Sequence, residues 1–209
     1  MNTMSSETRK YELKERGKRQ RATRQRIVEA TADLHREVGP ARTTVAEIAR
    51  RAGVQRLTVY THFPDEVHLI QACQARFYAV HPPPDFSVAL KLEMPSDRVA
   101  IVLERLYEWY RETEDGIAPV LQDRGTVPAL DQVVTEVVDA PHAELAIHLA
   151  AAFGLQGQAG DRLRALIRLA LDFWTWRRLK NEGLSDSAAA DVMTGAITAI
   201  ASQSNPAHE

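Results

Sequence analysis

Between Thr43 and Phe63 apolar residues recur at helical spacing in two short runs, with a glycine between them. Val45, Ile48, Ala49 and Ala52 fall on one face of a helix that should begin at Val45. Thr44 and Glu47 have capping-box spacing: the Thr44 hydroxyl is expected to accept from the Glu47 amide, and the Glu47 carboxylate to reach back to the Thr44 amide. Gly53 ends the run where a left-handed residue stops a helix without a Cβ penalty. Past Val54 a second helix is expected from about Gln55 to His62, burying Val59 with Leu57 or Thr58. Ala49, Gly53 and Val59 then supply the small crossing residue, turn glycine and core anchor of a helix-turn-helix, a shape that fits a DNA groove.

The same periodicity continues on both sides. Ile27, Ala30, Thr31, Leu34 and Val38 predict a helix from about Thr23 to Val38, ended by Gly39-Pro40. Asp65 is placed to cap a helix reaching Val80, with Leu69, Ile70, Cys73, Phe77 and Val80 along one side, before His81 and three prolines break it. Residues 85–94 give a weak pattern, a linker or a short helix. Pro95-Ser96 opens a helix to about Thr113 with Val99, Val102, Leu103, Leu106, Trp109 and Tyr110 inward. Shorter helices are expected at 116–121, at 127–138 (Leu130, Val133, Val134, Val137) and at 142–153. From Asp161 to about Glu182 one narrow polar stripe (Arg164, Arg168, Asp172, Thr175, Arg178) runs along an otherwise apolar helix, which must therefore bury more than one face. A last helix starts at Ser185 or Asp186 and runs through Ala188, Val192, Ala196, Ile197 and Ile200. The pattern is all-α. It divides into residues 1–21 as a flexible basic arm, 22–64 as a three-helix domain with the helix-turn-helix, and 65–209 as a C-terminal helical bundle.

Charge changes the picture at one end. The overall balance is −2, yet Arg9 to Arg26 holds nine Lys or Arg against Glu12 and Glu15, while 81–209 holds 11 basic and 19 acidic residues. A basic segment beside a helix-turn-helix suits phosphate contacts by counterion release, and the acidic remainder would be repelled by DNA. With 209 residues, 44% of them hydrophobic, the chain can bury a real core. A single cysteine, Cys73, allows no internal disulfide, and the polar start and absence of a long apolar run fit a cytoplasmic protein rather than a membrane one.

The segment from Ile27 to about Leu69 resembles the DNA-binding domain of TetR family regulators through Thr43-Thr44, Ile48-Ala49, Gly53-Val54, Thr58-x-Tyr60-x-His62-Phe63 and Leu69. The resemblance implies a homodimer with a C-terminal ligand and dimerisation domain, joined through the last two helices of each subunit, and usually a repressor that a small molecule releases from its operator. Two positions depart from the family pattern: Gln55 where Ser or Thr is frequent, and Glu66 where a phosphate-contacting Lys is frequent.

Two recognition helices related by a twofold axis would read an inverted repeat in double-stranded DNA. Gln55, Arg56, Thr58 and Thr61 are the expected base readers, Gln55 suited to adenine and Arg56 to guanine; Thr44, Tyr60 and His62 are the expected backbone contacts. For a small apolar or aromatic effector the expected lining is Leu106, Trp109, Tyr110, Phe153, Phe173 and Trp174, with Arg177 and His148 as polar handles. His142 and His148 are not at the i, i+4 spacing of a helical zinc pair, so no metal and no cofactor are expected. Cys73 on an apolar face is expected as a core residue rather than a redox sensor. No phosphate loop, nucleophile elbow or catalytic carboxylate pair is present, which argues against an enzyme. The alternatives of another class are an enzyme built on the C-terminal helices and an architectural DNA-binding protein without a ligand.

Overall fold

The structure, a computed structural model, describes residues 3–203, with side chains from Tyr11 onward. Among these residues all regular structure is helical, and the chain forms two compact units, each described by itself. The first comprises residues 1–80 with 118–133, and the second 81–117 with 134–209. Sequence periodicity drew the division after Pro64. The helix that follows packs instead with the first three, because Leu69, Ala72 and Cys73 share one buried cluster with Ile27, Leu34, Ile48 and Val59.

Unit one begins with α1 (Thr3–Val38), which takes in most of the stretch expected as a flexible arm. The physical reason lies in its composition: Lys, Arg, Glu, Gln and Leu are strong helix formers, only Gly17 and Thr23 are weak ones between Tyr11 and Arg26, and Glu15 pairs with Lys18 one turn on at 2.7 Å. The docked half of α1 supplies the nucleus, and the solvated half propagates from it. Gly39 stops α1 at φ 86°, followed by a 3₁₀ turn (Pro40–Arg42). Then come α2 (Val45–Ala52), α3 (Arg56–His62) and α4 (Glu66–Val80). Asp65 caps α4 as expected, accepting from the His68 amide at 2.9 Å. Val80, expected inward, is 60% exposed, since the last turn of α4 outruns the core.

The α1–α2 turn is held by Asp123, also in unit one. Its carboxylate accepts from the Ala41 amide at 2.9 Å, and a Cβ on Gly39 would lie 2.5 Å from the same oxygen. A positive φ and this close approach together require glycine at 39. Burial pushes the His35 imidazole down to about 4, against the opposing pull of the Asp123 carboxylate.

Unit two contains most of α5 (Pro95–Asp123), a π-turn (Thr135–Asp139), α7 (Ala140–Ala151), α8 (Gly157–Ala170), α9 (Phe173–Asn181) and α10 (Asp186–Gln203). The short α6 (Pro128–Val134) lies almost wholly in unit one. Residues 85–94 hold one short 3₁₀ turn (Ala89–Lys91). The separate helix expected at 116–121 is part of α5, which continues through Gly116 and Pro119. In a helix interior glycine costs about 1 kcal/mol and proline about 3 kcal/mol relative to alanine, so the helix persists here through tertiary packing of buried residues such as Thr113 and Ala118 rather than through local propensity.

The long helix expected from Asp161 to Glu182 is two helices. Asp172 leaves helical geometry (φ −76°, ψ 136°) and its carboxylate accepts from the Trp174 and Thr175 amides at 2.8 and 3.2 Å. A short acidic side chain that can bind its own backbone two and three residues on favours an N-cap over a helix interior.

Candidate nucleic-acid interface

The helix-turn-helix is built as its residue types dictate, with one exception. Thr44 is in extended geometry and its hydroxyl accepts from the Glu47 amide at 3.2 Å. Glu47 does not complete the box, because Arg50 one turn on takes its carboxylate in a two-point ion pair. The α2–α3 turn closes at Gly53 (φ 64°), and the Val54 amide donates to the Ala49 carbonyl at 3.0 Å. Val59 (2% exposed) and Phe63 (3%) anchor α3 to the core, and this fixes which face turns outward.

That outward face holds Arg56, Leu57, Tyr60 and Thr61, at positions i, i+1, i+4 and i+5 of one helix. Gln55 is the exposed N-cap residue of α3, while Thr58 and His62 are half-buried along its flank. Leu57 is 72% exposed, so of the two residues expected to turn inward beside Val59 it is Thr58 that does so. Thr58 takes the inner flank, so Leu57 stands among exposed polar side chains as an apolar one of the kind that can meet a thymine methyl. Period counting could not separate these neighbours, because either one completes an apolar pair with Val59. The Thr61 hydroxyl donates to the Leu57 carbonyl at 2.8 Å, which leaves its oxygen able to accept. Thr44 stands exposed at the N-terminus of α2, where free amides and the helix dipole favour a phosphate. Glu66, in the first turn of α4, favours its own helix dipole but would repel a phosphate there.

The residues expected to line an effector site are brought together only in part, and as a packed cluster. The Tyr110 ring meets the edge of Phe173 at 5.3 Å, and Trp109, Trp174 and Trp176 touch the same pair at 5.2–5.8 Å. The Tyr110 hydroxyl donates to the Leu171 carbonyl at 2.7 Å and the Tyr107 hydroxyl to that of Ala170 at 2.8 Å. Tyr107 and Trp176, neither among the residues expected to line the effector site, are fully buried, and Leu106 is 2% exposed. Phe153 lies in the turn after α7, half-buried. Trp174 is 40% exposed, with the Arg177 guanidinium over its ring at 5.4 Å; Arg177 also pairs with Glu114 at 3.2 Å. His148 is exposed beside Glu144. Burial pushes the Cys73 thiol up to about 12, which makes it an inert core group.

Comparison with known proteins agrees with this geometry. Residues 27–73 match the family of bacterial regulatory proteins described as the tetR family. Over 59 residues the chain is 41% identical to the HTH-type transcriptional regulator TtgR of Pseudomonas putida, covering 28% of each chain. The chain thus spans about a quarter of the length of that relative. A TetR-like transcriptional regulator from Rhodococcus sp. RHA1 has the same fold over 84% of this chain and 93% of its own, with a TM-score of 0.58 at 18% identity. The multidrug binding protein EbrR, solved in complex with imidazole, superposes with a TM-score of 0.51 at 21% identity over 85% of this chain and 88% of its own.

Proposed function

We propose that this chain, whose residues 27–73 are a tetR-family DNA-binding domain, is a sequence-specific transcriptional regulator that binds an inverted-repeat operator as a homodimer. The observation that carries the reading is the α3 face, where Arg56, Leu57, Tyr60 and Thr61 stand outward on a helix anchored by Val59 and Phe63. Arg56 reads a guanine edge, Gln55 an adenine, Thr58 and Thr61 supplement them, and Leu57 adds a thymine methyl contact. Thr44, Tyr60 and His62 hold the backbone. Glu66 makes no phosphate contact.

The second copy docks on the last helices. On α10 the exposed positions Val192, Gly195, Ala196 and Ala199 form a stripe of small and apolar residues at helical spacing, and Leu169 on α8 is 54% exposed. Residues of this kind on a surface helix suit a helix-to-helix interface. The regulator acts as a repressor released by a small apolar or aromatic effector. In support, EbrR, which shares the fold, is a multidrug binding protein, and here the rings of Tyr107, Trp109, Trp174 and Trp176 gather around Tyr110 and Phe173, with Trp174 and Arg177 at their open edge. Because these rings touch, the effector must part them, and that repacking supplies the two states a switch needs.

Selection of the protein's preferred sequence from random DNA should return a twofold repeat with half-sites about one helical turn apart or somewhat more. On that operator Arg56→Ala should lose roughly 1–3 kcal/mol of discrimination at one base pair per half-site while its affinity for random DNA stays nearly unchanged. Equal loss on both DNAs would remove Arg56 from the readers, and recovery of no preferred sequence would overturn the regulator reading.

A further inference from the structure

The helix-turn-helix of unit one carries a second cationic feature outside α3. From Tyr11 to Arg26 no residue of α1 is buried, so this half of the helix projects from the domain; at 1.5 Å per residue, Tyr11 to Arg24 spans about 20 Å. Lys14, Lys18, Arg21 and Arg24 follow at spacings of four, three and three, within an arc of about 120° on a 100° per residue wheel. Glu12 lies on the opposite side, and Glu15 is taken up by Lys18 at the edge of the stripe. Among the described residues Lys14 and Arg21 have no carboxylate partner.

The stripe does not end in solvent. It runs into a groove of about 390 Å³ between α1 and α4, lined by Arg21, Arg24, Gln25 and Arg76 over a floor that includes Val28 and Ala72. Arg76 is only partly neutralised, by Glu29 at 3.3 Å with both side chains well exposed. Two arginines of α1 also bracket the recognition helix. The Arg24 guanidinium lies 4.6 Å over the ring of Phe63, at the C-terminal end of α3, and Arg26 Nη1 lies 3.8 Å from where a Cβ of Gly53 would stand, just before its start. The projecting half of α1 is thus tied to both ends of the element that reads DNA.

We infer that this face of α1, from Lys14 through Lys18 and Arg21 into the Arg24–Arg76 groove, is a rigid phosphate track that lies along the DNA backbone flanking each half-site. The inference rests on the regulator reading and adds to it a second, sequence-independent contact surface with a defined reach. The occupant is a phosphodiester backbone because the cations lie in a line rather than around a closed pocket, matching a strand with evenly spaced charges. The cations from Lys14 to Arg24 span about 15 Å at 1.5 Å per residue, which at 3.4 Å per base pair reaches about four base pairs.

The test uses the full chain and three sets of binding partners: the selected operator with flanks of zero to ten base pairs, random duplexes of the same lengths, and vesicles containing phosphatidylserine. The triple variant Lys14→Ala, Lys18→Ala, Arg21→Ala alters only exposed side chains, and its melting curve is checked against wild type. Wild-type affinity should rise about tenfold as flanks lengthen to roughly four base pairs and then level off. The triple variant should lose that gain on operator and random DNA alike, with a salt dependence shallower by about two to three in log–log slope. Base preference in the variant should match wild type.

A wild type that selects an operator but shows no flank dependence, with an unchanged salt slope in the triple variant, overturns the track and leaves the regulator reading standing. A wild type with no preferred sequence sinks the regulator reading, and the track then stands or falls on the random duplexes, where the triple variant must bind more weakly. Vesicle binding lost in the triple variant, alongside flank-independent DNA affinity, overturns the track in favour of a lipid surface; exposed Tyr11 and Leu13 would then be its anchors.

Discussion

Individual side chains divide into those whose type settles their role and those whose neighbours do. Arg56 is exposed at the first position of a helix and carries a planar, permanently charged fork, so the reading role proposed for it rests on type and place. Leu57 is the counterexample, an apolar side chain facing out because Val59 and Phe63 already fix the inner face. His35 shows what surroundings do to a titratable group. Unfolded, its imidazole titrates near 6.5, whereas in the fold burial lowers it to about 4. Above pH 6.5 both states are neutral and His35 contributes nothing to the pH dependence. As pH falls from 6.5 toward 4 the unfolded chain takes up a proton that the folded chain refuses, so stability is lost across that window. By pH 5 the loss should be about 2 kcal/mol at 1.36 kcal/mol per pH unit. Urea unfolding at pH 7.5 and pH 5, compared between wild type and His35→Gln, measures it. The variant should show a flatter pH dependence, and identical dependence in the two proteins would remove His35 as a source.

At the level of elements, helix existence followed periodicity closely while helix ends followed capping chemistry. The interval from Asp161 to Glu182 has unbroken helical periodicity, yet it is divided because Asp172 satisfies two amides that would otherwise be orphaned at the start of α9. Asp172→Ala should therefore destabilise the protein by about 1 kcal/mol, lowering the melting temperature by roughly 2–4 °C. Asp172→Asn, which keeps an acceptor oxygen, should lie close to wild type in the same melt. Equal losses in both variants would show that the charge, not the cap, matters at this position. In α1 the opposite happened: a stretch expected as an arm is helical, because Gly17 and Thr23 alone between Tyr11 and Arg26 weakly oppose a helix already nucleated by the docked half. Charge density marked it as solvated, and solvation alone does not distinguish a coil from an exposed helix.

For the whole molecule the proposed dimer sets function, since one α3 reads too few base pairs for a unique operator. Val192→Asp places a charge on the exposed apolar stripe of α10 without touching the core. It should give a monomer by light scattering, with unchanged helicity and operator affinity at least tenfold weaker from loss of the linked second half-site. A variant that remains dimeric would move the interface elsewhere. What the sequence by itself determined is the class of fold and the place of the helix-turn-helix, because amphipathic spacing, caps and the Gly53 turn are local properties. Only the tertiary structure decided that Leu57 faces out, that Tyr107 and Trp176 complete the aromatic cluster, that Asp123 clasps the turn after Gly39, and that Arg21, Arg24 and Arg76 share one groove. Each of these depends on residues far apart in the chain, on which face is already occupied and on what else competes for the same space.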